Sequence, residues 1–185
     1  MKSLNLYKDA QILDAGCGGG YIMNELYKMG FENVWGFDAS ETGIALAQSS
    51  YAVLKDRIAV HNVYDAVMPS HFPPGGYDLV LSIEVIEHMY SPRDYLKNAR
   101  YWLKDSGHLI LSTPYNGYLK NLVISLLNKY DQHHNPLWDG GHIKFFSVNS
   151  LYLLLEEIGF KPIRFQGSGR LPFVWKSMLV ASEKK

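Results

Sequence analysis

At 185 residues the chain is long enough for one substantial core and too short for two ordinary domains. Apolar residues make up 47%, which excludes a disordered chain, and 18 basic residues balance 18 acidic ones, which leaves no net field to draw nucleic acid or an anionic membrane. The single cysteine, Cys17, excludes an internal disulfide; residues 1–8 lack an apolar signal core and no apolar run approaches the ~20 residues of a membrane span, so a cytoplasmic protein without a transmembrane segment is expected.

Residues 11–15 read as a buried strand running directly into Gly16-Cys17-Gly18-Gly19-Gly20, and a helix is expected over 21–29, closed by Gly30. Residues 33–37 form a second strand ending at Asp38, and Ser40 caps a helix reaching residue 54. A third strand is expected at 58–63, and a Pro- and Gly-containing connection, 69–76, leads to a fourth at 77–83. Its Val80-Leu81-Ser82-Ile83 run suits a central strand covered on both faces. Pro92 suits the first turn of a helix to about residue 103, after which Asp105-Ser106-Gly107 reads as a turn and 108–113 as a fifth strand. In the connection 114–141, Leu119, Leu122, Val123, Leu126 and Leu127 recur at helical spacing. This stripe is expected to pack onto the domain, with a pocket lid, a docked partner and a lipid surface as alternatives. A helix from Ser147 to residue 158, closed by Gly159, precedes two strand-like runs, 162–166 and 173–182, which flank Gly167-Ser168-Gly169 and predict a hairpin. Strands alternating with helices predict a doubly wound α/β fold with a mainly parallel sheet, one domain over residues 1–185.

The glycine cluster carries the functional signal. A turn pressed against a ligand tolerates no Cβ, and only glycine takes positive φ freely. The helix that follows aims free N–H groups and its positive dipole end into that turn, where a nucleotide-like ligand is expected. In a doubly wound sheet the ligand lies beyond the carboxyl ends of the strands, which brings in Asp38. Its carboxylate there accepts hydrogen bonds from both hydroxyls of a ribose. The spacing is G-x-G-x-G, with Tyr21 where the dinucleotide fingerprint has its third glycine, which disfavours a nicotinamide-dependent dehydrogenase. The fourth strand runs into Glu84-Val85-Ile86-Glu87-His88-Met89. A helical turn starting at Glu84 places Glu84, Glu87 and His88 on one face, with a base for an acceptor hydroxyl. His61, His71 and His108 read as structural, and His133-His134 as substrate-facing or solvated.

With these residues the chain resembles the class I S-adenosylmethionine-dependent methyltransferases over essentially its whole length. The resemblance implies a Rossmann-like sheet of seven strands, mostly parallel with an antiparallel C-terminal hairpin strand, and S-adenosylmethionine as cofactor. It carries over Asp14, Gly16, Gly18 and Gly20 to the amino-acid portion of the cofactor, with Cys17 lining the same turn, Asp65 at the adenine amino group and Tyr64 beside it on the adenine face. The Glu84-x-x-Glu87-His88 segment resembles two branches, the ubiquinone-biosynthesis O-methyltransferases and the small-RNA 2′-O-methyltransferases. The latter implies a divalent cation, magnesium or manganese, at Glu84, Glu87 and His88, with His142 as fourth ligand. Without a metal, His88 acts as base or orients the substrate. The edge Ser112-Thr113-Pro114-Tyr115-Asn116 faces the acceptor in this family, which implies contacts from Tyr115 and Asn116. Relatives often carry helices before the first strand; about ten residues precede it here, so the pocket is expected to be open or covered by 114–141. The reading is methyl transfer to an oxygen of a small-molecule, sugar or lipid-linked acceptor. Metal-dependent RNA 2′-O-methylation, disfavoured by the neutral charge, and a non-catalytic cofactor-binding domain are the alternatives. The acceptor and the oligomeric state stay open.

Overall fold

A computed structural model describes residues 6–74 and 76–185; the leader reading of residues 1–8 falls largely outside them. In chain order the elements are β1 Ile12–Ala15, α1 Tyr21–Lys28, β2 Val34–Asp38, α2 Glu41–Ser50, β3 Ile58–Val60, β4 Tyr77–Ile83, α3 Pro92–Trp102 and β5 Leu103–Pro114. There follow α4 Tyr118–Leu126, α5 Tyr130–His134, α6 Val148–Ile158, β6 Phe160–Ser168 and β7 Ser177–Lys184. The seven strands form one sheet in the order β3-β2-β1-β4-β5-β7-β6. β1 pairs in parallel with both β2 and β4, and the sheet stays parallel out to β3 and β5. β7 inserts antiparallel between β5 and β6. The chain thus reverses its winding direction at β1, and a crevice opens where β1 and β4 end side by side.

The period-two alternation of the strands sorts the core onto two faces. Leu13, Ala15, Phe37 and Val80 pack with Leu96, Trp102, Leu151 and Leu155 of α3 and α6. Ile12, Val34, Leu79 and Leu81 pack with Met23, Leu26, Ile44 and Ala47 of α1 and α2. A fully buried side chain of this size contributes about 1.5–3 kcal/mol, so the central strands are held from both sides. Helix ends follow local chemistry. Ser40 Oγ accepts from Gly43 N at 3.1 Å, Ser147 and Ser150 form a reciprocal capping box, and Gly159 closes α6 with φ 93°.

Several boundaries differ from the expected ones. The helix begun at Ser40 ends at Ser50, and a separate 3₁₀ turn covers Ala52–Leu54. β3 stops at Val60 instead of residue 63. β5 starts at Leu103, because Asp105-Ser106-Gly107 is a bulge inside the strand: Tyr77 pairs Leu103, Leu79 pairs His108, and Ser106 takes φ 61°. The hairpin strands are longer and shifted, β6 from Phe160 and β7 to Lys184. The largest correction concerns α4. The apolar stripe does not pack onto the domain: Leu126 is 76% exposed, and Leu119, Leu122, Val123 and Leu127 also face outward. The buried face is Lys120 and Ile124, with the Lys120 Nζ donating to the Tyr115 carbonyl at 2.7 Å. An ammonium with two backbone carbonyls to donate to takes the inner position over the leucines.

Candidate functional site

The glycine turn after β1 is a backbone device. Gly16, Gly18 and Gly20 have φ of 88°, 50° and 76°. Gly16 N and Cys17 N donate to the Phe37 carbonyl, which fastens the turn to β2. A Cβ on Gly16 would lie 2.5 Å from Val85 Cγ2. The glycine turn and the segment after β4 are therefore in direct contact. Asp38 closes the turn from the other side: its Oδ2 accepts from Gly18 N and its Oδ1 from Ser40 N, each at 2.8 Å. Each oxygen keeps a second lone pair for a ligand hydroxyl.

Asp14 lies beneath this turn, 2% exposed, and its Oδ1 has no hydrogen-bond partner among the described residues. Burial, with the Asp38 charge adding, pushes its carboxyl up to about 7. An unpaired buried carboxyl next to a second carboxylate is a place made for positive charge. Its cost without a ligand is readable. Between about pH 4 and 7 the folded protein holds a proton that the unfolded chain has lost, so stability falls as pH rises through that window. Asp14→Asn is expected to raise the unfolding free energy at pH 8 by about 1–3 kcal/mol and to lose that advantage toward pH 4, read by thermal denaturation at both values. Cys17 is packed with Met23 and Gly36, and burial pushes its thiol up, away from reactivity.

The segment after β4 departs from the expected helical turn. Glu84 takes φ 56° and stands outside the helix; only Ile86–His88 form a 3₁₀ turn. Glu84 therefore does not share a helical face with Glu87 and His88. Its Oε1 accepts from Ser112 Oγ at 2.8 Å instead. Glu87 is fully buried, with neither carboxyl oxygen hydrogen-bonded to a described residue. Burial, reinforced by the Glu84 charge, pushes its carboxyl up to about 8. The Glu87 carbonyl accepts from Ile143 N at 2.9 Å and Lys144 N at 3.0 Å, which straps residues 141–146 across the 3₁₀ turn. That strap delivers His142, whose Nε2 lies 3.9 Å from Glu87 Oε1 and whose ring meets His88 edge-on at 4.9 Å. Burial and the neighbouring His88 hold His142 below the usual imidazole range. His88 Nδ1 lies 2.8 Å from the Gly140 carbonyl; donating there fixes the tautomer and leaves Nε2 with a free lone pair. Trp138 closes the group, 5.7 Å from His88 and 5.8 Å from His142 between ring centroids.

One donor atom each from Glu87, His88 and His142 lies within 4.8 Å of the others, a spacing that suits one divalent cation. Glu84 is outside that trio. The orphaned Glu87 carboxyl fits a cation, which would reverse the effect of burial on its proton.

The other expected positions are placed as follows. Tyr115 is buried in the core, 5.1 Å edge-on to Trp175. Asn116 instead lines an open cavity of about 400 Å³ beside α4. Tyr64 Oη accepts from Ser91 N at 3.0 Å, and Asp65 is exposed after β3. His133 and His134 fall in α5; burial pushes His133 down to about 4 and lowers His134 as well. The hydrogen bond of Ser112 to Glu84, the Gly140 carbonyl and Lys120 escaped the sequence reading. A serine opposite a strand end and a glycine carbonyl carry no distinguishing pattern. Lys120 had one signal, as the single charge in the otherwise apolar and polar run of α4.

The family described as Methyltransferase domain matches residues 3–164. The ubiquinone biosynthesis O-methyltransferase of Roseobacter denitrificans is 32% identical over 175 residues, covering 91% of this chain and 67% of that protein. The mitochondrial ubiquinone biosynthesis O-methyltransferase of Schizosaccharomyces pombe is 30% identical over 156 residues, covering 83% and 56%. The chain thus spans between about half and two thirds of the length of these curated relatives. Among solved structures, magnesium protoporphyrin IX methyltransferase from Synechocystis PCC 6803 with bound SAH superposes with TM-score 0.72 at 19% identity, covering 100% of this chain and 78% of that one. An S-adenosylmethionine dependent methyltransferase from Mesorhizobium loti gives TM-score 0.72 at 17% identity, covering 97% and 94%.

Proposed function

The chain belongs to the class I S-adenosylmethionine-dependent methyltransferases, and from that membership we propose that it transfers a methyl group from S-adenosylmethionine to a hydroxyl oxygen of a small molecule. The observation that carries the proposal is the contact of Gly16 with Val85. It sets the glycine turn after β1 against the Glu84–His88 segment after β4, so the group that holds the donor and the group that handles the acceptor share one crevice.

S-adenosylmethionine supplies an electrophilic methyl on a positively charged sulfonium. The chain's own residues then have three tasks. Gly16, Gly18 and Gly20 expose backbone to the ligand, Asp38 offers its remaining lone pairs to ribose hydroxyls, and the unpaired Asp14 supplies the negative charge for a cationic cofactor. Holding donor and acceptor in line supplies much of the rate. His88 Nε2, with Nδ1 committed to Gly140, takes the acceptor's proton. Where a divalent cation is bound, Glu87, His142 and the same Nε2 of His88 would hold it, and the cation would lower the acceptor hydroxyl's pKa in place of His88 acting as base.

The relatives named as ubiquinone biosynthesis O-methyltransferases support an oxygen acceptor on a small molecule. Among the described residues no helix is long and apolar enough to cross a membrane. Asp38→Ala tests the cofactor half of the proposal. Loss of charged hydrogen bonds to ribose is expected to weaken S-adenosylhomocysteine binding by about 1.5–3 kcal/mol, read by calorimetry. An unchanged affinity would remove Asp38 from the cofactor site.

A further inference from the structure

Near its end β5 carries two successive hydroxyls, Ser112 and Thr113, and the alternation of a strand turns them to opposite faces of the sheet. Ser112 is spent on Glu84: its Oγ accepts from Glu84 N at 3.1 Å and donates to Glu84 Oε1 at 2.8 Å. Thr113 is not spent. It is fully buried, and its Oγ1 has no hydrogen-bond partner among the described residues. It follows Leu109 and Leu111 on the face that packs against α3 and α6, and Met178, its pair on β7, belongs to the same core. Ile86, which opens the 3₁₀ turn, is buried in that core too, and the turn lies against β5.

An unpaired hydroxyl and the unpaired Glu87 carboxyl are thus buried at one junction of β5 with the turn after β4. Valine would fill the place of Thr113 with no polar atom to desolvate, so a threonine there calls for a partner. Burial pushes the Glu87 carboxyl up, and of the side chains around it the Thr113 hydroxyl is the one that draws it back down. The strap already fixes the Glu87 backbone through Ile143 N and Lys144 N, but nothing comparable fixes its carboxyl. A carboxylate that gives one oxygen to a cation beside His88 and His142 still has a second, equally buried oxygen to satisfy.

We propose that Thr113 is the positioning residue of the cation site: its hydroxyl donates to the Glu87 oxygen that the cation leaves free, and so holds the carboxylate in place beside His88 and His142. This rests on the cation reading of that trio and adds a residue to it. Tyr95 provides the comparison. Its hydroxyl is also buried without a partner on this face, from α3. Burial pushes the phenol up, and the hydroxyl that draws it back down is that of Ser82 on β4.

The whole metal-stripped chain is titrated with manganese chloride, with the free ion followed by electron paramagnetic resonance. Thr113→Val is expected to weaken manganese binding about 10–100-fold, the usual effect of removing a hydrogen bond that orients a metal ligand. Thr113→Ser, which keeps the donor, and Tyr95→Phe, which removes the other hydroxyl, are each expected to stay within about threefold of the unaltered chain. Affinity for S-adenosylhomocysteine is expected to be the same in all four proteins. Without metal, Thr113→Val is expected to unfold at a temperature no lower than the unaltered chain, because it keeps the shape and removes an unpaired hydroxyl. Unchanged manganese affinity in Thr113→Val overturns the proposal. So does an equal loss in Tyr95→Phe, a Thr113→Ser variant as weak as Thr113→Val, or a Thr113→Val variant that loses stability or S-adenosylhomocysteine affinity, which would make the threonine structural. No manganese uptake by the unaltered chain overturns the cation reading itself and the proposal with it, so the two failures are told apart.

Discussion

His88→Ala is expected to lower methyl-transfer turnover by about 10²–10⁴-fold while S-adenosylhomocysteine affinity stays within about twofold of the unaltered chain. His88 sits in the 3₁₀ turn Ile86–His88, beyond the carboxyl end of the central strand β4, and makes no contact with the Gly16–Gly20 backbone hydrogen bonds. The Nδ1 hydrogen bond to Gly140 fixes which nitrogen is free, so the loss on substitution is chemical and not only a matter of packing. A second variant separates these roles. His88→Asn keeps a donor for the Gly140 carbonyl but has no basic nitrogen, and is expected to be as slow as His88→Ala. Recovery of turnover with asparagine would assign His88 to holding residues 138–142 in place and nothing more. Steady-state kinetics of the three proteins, with kcat and KM separated, decide the matter.

Gly16→Ala is expected to be severely damaging for a single added methyl group. The new Cβ meets Val85 Cγ2 at 2.5 Å, and the backbone holds φ 88°, where an L side chain is strained. The conformational strain is about 1–2 kcal/mol and overpacking adds about 1–3 kcal/mol. Stability is therefore expected to fall by about 2–5 kcal/mol, and cofactor affinity with it, because relief can come only by moving the glycine turn or the Glu84–His88 segment. Val85→Ala on the Gly16→Ala background removes the clash but not the backbone strain, so it is expected to restore part of the loss. Chemical denaturation of the two single variants and the double variant measures that coupling. Full additivity would show that the turn and the segment after β4 do not press on one another.

Much of the fold is legible in the sequence because it rests on local rules. The apolar run into Gly16, the Ser40 and Ser147 caps, Gly159 and the hairpin around residues 167–169 each carry their own signal, and each corresponds to an element of the structure. The sheet itself follows from the alternation of strands and helices. What the sequence misplaces depends on tertiary competition. α4 is apolar on most of its surface, so periodicity alone does not say which stripe turns inward, and the two carbonyls available to Lys120 decided it. Tyr115 follows a strand that ends at the crevice, yet its ring turns back against Trp175. Asp105-Ser106-Gly107 has turn composition, but the pairing of β5 with β4 resumes on either side of it and makes it a bulge.

The candidate site was legible as a set of residue types and not as a geometry. Asp14, Asp38, Glu87, His88 and His142 do gather at the ends of β1, β2 and β4. The positive φ of Glu84, which takes it off the shared face and onto Ser112, has no signature in the residues themselves. The meeting of His142 with Glu87, 55 positions apart, is made by two backbone hydrogen bonds from the strap, which no side-chain pattern announces.

The measurement that tests the central claim most directly is calorimetric titration of the purified, metal-stripped chain with S-adenosylhomocysteine, repeated with manganese present. Saturable one-to-one binding is the predicted result, with a separate heat on adding manganese where Glu87, His88 and His142 take up the cation. A folded protein that gives no heat with S-adenosylhomocysteine in either condition would contradict the assignment of the β1–β4 crevice as a methyl-donor site.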